Sequence, residues 1–362
     1  MPSLFDPLDL TPTLNLPNRI VMAPLTRGRA DREGVHSSLA VDYYRQRASA
    51  GLIISEATGI SREGLGWPNA PGLWTEAQVE GWKPVTDAVH RAGGRIVAQL
   101  WHMGRMVHSA VTGTEPLAPS AIAPPGEAHS YEGKRPFETP RAATLDDIAR
   151  VLDDYERAAR NALAAGFDGV QVHAANGYLI DEFLRASSNH RDDDYGRPIE
   201  NRVRFLREVT ERVIAGVGVE RVGVRLSPNG AVNGCDDPDH IALFTAAAEV
   251  LETLGVPWIE LREPGPQSTF RPTEQEPASP HMRRVFSGRL GLNSDYRLES
   301  AQAKLAASEA DFISFGRPFI ANPDLVERLR QGAPLNRWDV ETFYTPGARG
   351  YTDYPVLSAA AT

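Results

Sequence analysis

Three side chains within one short stretch, His173, Asn176 and Tyr178 of "VHAANGYL", offer two hydrogen-bond donors for an oxygen and one weakly acidic phenol. Such a set could polarise a carbonyl-like oxygen and pass a proton to a neighbouring carbon, provided one strand end gathers it. Each residue alone has a simpler explanation. A histidine can be satisfied inside a core, Asn-Gly is a turn dipeptide, and a tyrosine can simply pack. Their coincidence at one point, with Trp101 and Arg225 at other strand ends, favours a site. Arg225 closes the apolar run "VGVRLSP", where a guanidinium serves either an ion pair or an anion clamp. Arg317, after Gly316 in "FGRPFIANPDL", is a candidate phosphate ligand.

Other chemistries lack their residues. The nine histidines include no H-E-x-x-H and no cluster at metal-ligand spacing, so no metal is expected. A nucleophile elbow G-x-S-x-G is absent. Cys235 is the only cysteine, which excludes an internal disulfide and a four-cysteine iron–sulfur cluster. The net charge of −9, with both signs interspersed, argues against a nucleic-acid surface. No apolar run is long enough to span a bilayer, and the first residues lack a basic-then-apolar signal peptide. A cytoplasmic protein without membrane or nucleic-acid partners is expected.

The elements that must position these groups recur along the chain. Strands are expected in "RIVMAP" (19–24), "GLIISEAT" (51–58), "RIVAQLWH" (95–102), "GVQVHA" (169–174), "RVGVRLS" (221–227), "WIELRE" (258–263), "GRLGL" (288–292) and "FISFGR" (312–317). Most are nearly continuous apolar runs, as in parallel strands covered by helices. Between them lie amphipathic segments. After Thr144, an N-cap residue, Ile148, Val151, Leu152, Tyr155, Ala158, Ala159 and Ala162 form an apolar stripe. Glycines in "RASAG", "HRAGG", "LAAGF" and "ETLGV" suit left-handed helix ends. Eight such units predict a (β/α)8 TIM barrel spanning residues 1–362 as one domain. An open doubly wound sheet is the competitor, but no G-x-G-x-x-G follows the first strand. Residues 1–18 are expected as a hairpin lid at the barrel bottom. Residues at about 103–143, rich in Pro, Gly, Ser and His, are expected as an inserted segment over the active-site mouth. In this fold chemistry sits at the C-terminal strand ends, and phosphate at the loops after strands seven and eight.

These motifs together resemble the old yellow enzyme family of FMN-dependent ene-reductases. The resemblance runs through "NRIVMAPLTRGRA", "SEATGIS", "AQLWHMGR", "VHAANGYLIDEFL", "SSNHRDDDYGRPIENR", "VRLSP", "FISFGRPFIANPDL" and "GYTDYP", nearest to the bacterial N-ethylmaleimide reductase-like branch. It implies that Pro24, Leu25, Thr26, Ala57 and Gln99 hold the flavin ring, with Arg225 beside N1 and O2. Gly316 and Arg317 would take the phosphate. His173 and Asn176 would donate to the oxygen of an activated alkene, and Tyr178 would protonate it. Trp101 and Tyr344 would line the substrate pocket, and NADPH or NADH would reduce the non-covalently bound FMN. Enones, enals, maleimides, nitroalkenes and nitro or nitrate esters are the implied oxidants, and a monomer or homodimer the implied state.

Three positions depart from the commoner family pattern. Asn176 stands where many relatives carry a second histidine, and Arg197 where a second glycine is common. "GLNSDYR" replaces a glycine-rich phosphate loop. There the backbone N–H groups of Ser294 and Asp295 are expected to face the phosphate, with the Asp295 carboxylate turned away. Related flavin barrels such as dienoyl-CoA reductases need a cysteine cluster that Cys235 alone cannot supply. The alternatives of a different class are a non-catalytic flavin- or ligand-binding protein and a phosphate-binding barrel that is an aldolase or isomerase.

Overall fold

A computed structural model describes residues 2–357. Its centre is a closed barrel of eight parallel strands: β1 (Ile20–Met22), β2 (Leu52–Ile54), β3 (Ile96–Trp101), β4 (Gly169–Ala174), β5 (Val222–Leu226), β6 (Trp258–Arg262), β7 (Arg289–Asn293) and β8 (Phe312–Phe315). Each pairs in parallel with the next, and β8 closes on β1. One main helix follows each strand: α1 (Ser38–Arg45), α2 (Glu76–Arg91), α3 (Leu145–Ala164), α4 (Arg204–Val217), α5 (His240–Thr253), α6 (Ser279–Val285), α7 (Leu298–Ala306) and α8 (Leu325–Gln331). The (β/α)8 barrel expected from the eight repeated units is therefore the observed fold. The described strands are shorter than several of the apolar runs that announced them, because loop residues continue those runs beyond the ladder.

Local chemistry explains where the elements begin and end. Thr144 caps α3: its hydroxyl accepts from the Asp147 N–H at 3.1 Å, and the Asp147 carboxylate accepts from the Thr144 N–H at 2.9 Å. The stripe from Ile148 to Ala162 is buried against the barrel. Gly93, Gly166 and Gly255 end their helices with positive φ, as expected. Gly51 does not. A Cβ there would lie 2.1 Å from the Asn18 carbonyl oxygen, so its need for glycine is close backbone approach.

The barrel interior is layered. At the bottom, the antiparallel hairpin Leu8–Thr11 with Leu14–Leu16 packs Leu8, Leu10, Leu14 and Leu16 against Val21, Leu52, Ile54, Val97, Trp258 and Phe312. The two aromatic rings fit because Gly223 and Gly291 face them; a Cβ on either glycine would fall about 2 Å from ring carbons. Above this apolar plug the inward positions turn polar: Gln99, Gln171, Arg225 and Glu260, all buried. The segment after β3 pairs Leu117–Ala118 with Arg141–Ala142 and carries a hairpin, Glu127–Ser130 with Gly133–Pro136. His129 on that hairpin lies against Trp67 at 4.5 Å between centroids. Among the described residues no helix is long and apolar enough to cross a membrane.

Candidate active site

β4 delivers the first donor. His173 stands opposite Arg225 of β5 in the parallel register. It is buried, and its Nδ1 has no partner. Burial first, and the adjacent Arg225 cation second, hold its pKa well below the ordinary imidazole value, so the ring is neutral and keeps one N–H. The strand then stops because Asn176 and Gly177 adopt left-handed backbone, φ 61° and 73°. Both ends of that turn are tied. The Asn176 N–H donates to Ser227 Oγ at 2.7 Å, and its carbonyl accepts from Asn233 Nδ2 at 2.9 Å. The Gly177 N–H donates to Asp181 at 2.8 Å, and a Cβ on Gly177 would press on the Val232 carbonyl at 2.5 Å.

Tyr178 follows as the residue before the short helix Leu179–Leu184. Its ring meets Trp101 edge-on at 4.9 Å and His173 at 5.2 Å. Burial, reinforced by nearby Tyr344, pushes its phenol up to about 12. One cavity at the strand ends is lined by Pro24, Thr26, Ala57, Gln99, Trp101, His173, Asn176, Tyr178 and Arg225. Leu25 lies against Gly316, whose Cβ would touch only the Leu25 side chain at 3.5 Å. Tyr344 is not part of this lining. It sits farther out, half exposed, with its ring 5.0 Å from Trp67. A strap of backbone holds it there. Arg27 donates to the carbonyls of Phe343 and Gly350, and Arg29 to those of Thr342, Phe343, Gly347 and Arg349.

Beneath the cavity runs a chain of buried hydrogen bonds whose middle members sequence reasoning did not assign. Gln99 Nε2 donates to Gln171 Oε1 at 2.7 Å, and Gln171 Nε2 to Glu260 Oε2 at 2.8 Å. Arg225 Nη1 donates to the same Glu260 oxygen at 2.7 Å, and its Nη2 to Asn293 Oδ1 at 2.8 Å. Asn293 Nδ2 in turn donates to the Ser314 carbonyl at 2.8 Å. The available signal was alternation: Gln171 and Glu260 occupy the inward positions of apolar strands, where a polar residue needs a partner.

The loops after β7 and β8 differ from expectation at one residue. The Asp295 carboxylate is not turned away from Arg317. It accepts from Arg317 Nη2, and from the Thr269 N–H at 2.6 Å and hydroxyl at 2.8 Å. Arg317 Nη2 also donates to the Thr269 hydroxyl. An unpaired guanidinium beside a free carboxylate satisfies itself, and the β6 loop supplies the third group. Ser294 shares a 3.1 Å hydroxyl contact with Ser268 of that loop.

Known proteins resemble this chain over nearly its whole length. The profile of the NADH:flavin oxidoreductase / NADH oxidase family matches residues 3–336. The old yellow enzyme homologue from Zymomonas mobilis has a TM-score of 0.97 and 58% identity, covering 98% of this chain and 100% of that one. Morphinone reductase has a TM-score of 0.94 at 46% identity, covering 98% and 96% of the two chains. A probable flavin mononucleotide-dependent alkene reductase of Leishmania infantum is 43% identical over 347 residues, 94% of each chain. The chain belongs to the NADH:flavin oxidoreductase family and is an oxidoreductase of the old yellow enzyme type.

Proposed function

We propose that the protein reduces the C=C bond of activated alkenes, such as enones, enals, maleimides and nitroalkenes, at the expense of NADPH or NADH. Nitro compounds and nitrate esters are further oxidants of the same class. The observation that carries this function is the convergence of His173, Asn176 and Tyr178 on one cavity bordered by Arg225. A morphinone reductase structure in complex with tetrahydroNAD supports a nicotinamide as reductant.

The donor set fits FMN. Pro24 and Ala57 give a small apolar wall, Thr26 and Gln99 give hydrogen-bonding edges, and Arg225 gives a permanent cation with a buried, unpartnered Nε. Leu25, against Gly316, would extend the wall. Gly316 and Arg317 would hold the phosphate, together with backbone N–H groups of Ser294 and Asp295. FMN held by these residues would supply the hydride chemistry between nicotinamide and alkene. The remaining work belongs to the chain. Neutral His173 and the Asn176 amide donate to the carbonyl or nitro oxygen, where negative charge builds as the β-carbon is reduced. The locked turn keeps Asn176 aimed without reorganisation. Tyr178 gives its proton to the α-carbon, and a phenol near pKa 12 remains protonated until that carbon becomes strongly basic. Trp101 packs behind Tyr178, and Tyr344 forms the outer wall.

Purified protein should be yellow, bleach with NADPH or NADH, and recover its colour with an enone. Tyr178→Phe should leave bleaching nearly intact and slow recovery by about 10²–10⁴-fold, the usual worth of a positioned acid. Protein that binds no added FMN refutes the proposal, and equal loss in both half-reactions makes Tyr178 a packing residue.

A further inference from the structure

We propose that Glu260 is a positioning residue for the cofactor: it fixes the hydrogen-bond polarity beneath the flavin and lowers the flavin's reduction potential by offsetting Arg225. This rests on the preceding assignment of Gln99 to an edge of the flavin ring and of Arg225 beside its N1 and O2.

The polarity follows from what a carboxylate can do. An ionised carboxylate only accepts. Glu260 Oε2 receives both Gln171 Nε2 at 2.8 Å and Arg225 Nη1 at 2.7 Å, so the Gln171 amide must point its nitrogen down and its oxygen toward Gln99. That oxygen takes Gln99 Nε2 at 2.7 Å, and Gln99 is left presenting its own carbonyl oxygen elsewhere. Gln99 and Arg225 both line the cavity. One acid therefore sets an acceptor at one point of the cavity floor and a cation at another. A flavin pyrimidine edge asks for that combination, with an N–H at N3 and carbonyl oxygens at C2 and C4.

The charge argument is separate. Glu260 is fully buried and its Oε1 has no partner. A glutamine could accept from Arg225 and carry an equal side-chain length, so hydrogen bonding alone does not require an acid. An acid adds a negative charge within hydrogen-bond distance of the cation that faces the flavin. Reduced flavin is an anion near N1, so Arg225 favours the reduced form and Glu260 opposes part of that effect. Screening by water is weak at a site this dry.

Three holoenzymes test this by dye-equilibrated redox titration. In Glu260→Gln the preference for reduced over oxidised FMN should rise at least about tenfold, an upward shift of about 30 mV for a two-electron couple. Glu260→Asp, which keeps the charge, should stay nearer wild type than Glu260→Gln. Asn293→Asp adds a carboxylate to the other side of the same guanidinium and should move the potential down. An unchanged ratio in FMN-replete Glu260→Gln overturns the proposal. If that variant does not fold with FMN, an Asn293→Asp potential at or above wild type overturns it instead. Wild-type protein that holds no FMN would refute the underlying assignment and not the role of Glu260.

Discussion

The C-terminal end of the barrel carries two arginine–carboxylate pairs with the same chemistry and opposite surroundings. Arg225–Glu260 lies in the barrel, with side-chain exposures of 6% and 0%. Arg317–Asp295 lies at the loops after β7 and β8, with exposures of 27% and 34%. The inner pair is tied at both partners by Gln171 and Asn293, whereas the outer pair shares only Thr269 of a loop. Water competes with the second and not with the first. The ring end of the proposed cofactor site is thus fixed in advance, and its phosphate end can exchange one partner for another. In the proposed site a phosphate would take the place of Asp295 on Arg317 at small cost, while the buried Glu260 is closed to such exchange with a ligand.

The sharpest way to break this contrast is to remove each arginine. Arg225→Ala strands a buried carboxylate and should cost about 3–5 kcal/mol in urea unfolding, whereas Arg317→Ala should cost under about 1 kcal/mol. Equal losses would end the distinction. A smaller effect comes from Asp295→Asn, which frees Arg317: FMN should bind several-fold tighter, up to about tenfold, with riboflavin affinity unchanged. Equal gains for both flavins would place Asp295 away from the phosphate. The smallest effect expected is none. His173 is held neutral well below its ordinary range and Tyr178 is pushed up to about 12, so neither changes charge near neutrality. Reoxidation by an enone, followed by stopped flow, should then be flat from roughly pH 6 to pH 10. The sign on each side is fixed: acid loss would mean that His173 protonates, and alkaline loss that Tyr178 ionises below its raised value.

What the chain disclosed before folding, and what it withheld, divides along the range of the interaction. The Thr144 cap and the stripe behind it are local, and appeared residue by residue. The eight strands were readable because continuous apolar runs repeat at parallel-sheet spacing. His173, Asn176 and Tyr178 were readable because one turn binds them. Glu260 falls inside the expected strand "WIELRE", yet its partners Arg225 and Gln171 lie 35 and 89 residues away. Alternation says that such a residue points inward, not which neighbour it meets. The pairing of Asp295 with Arg317 and Thr269 was hidden for the same reason, since Thr269 comes from another loop. Gly51 shows the converse: its residue type was informative, but the cause was a distant carbonyl and not the helix end beside it.

The strap that holds Tyr344 has a consequence for the order in which the protein is made. Arg27 and Arg29 leave the ribosome early, and the Phe343 carbonyl that Arg27 needs follows 316 positions later. Both guanidiniums end up buried, and apart from the Arg27 carbonyl that takes Arg29 Nη1 at 2.8 Å, the acceptors that replace their water come from residues 342–350. The segment proposed as the pocket's outer wall and the anchoring of the β1 loop are therefore completed together, late in synthesis. A chain ending before residue 342 loses more than a tail: it leaves the beginning of its own site unfinished.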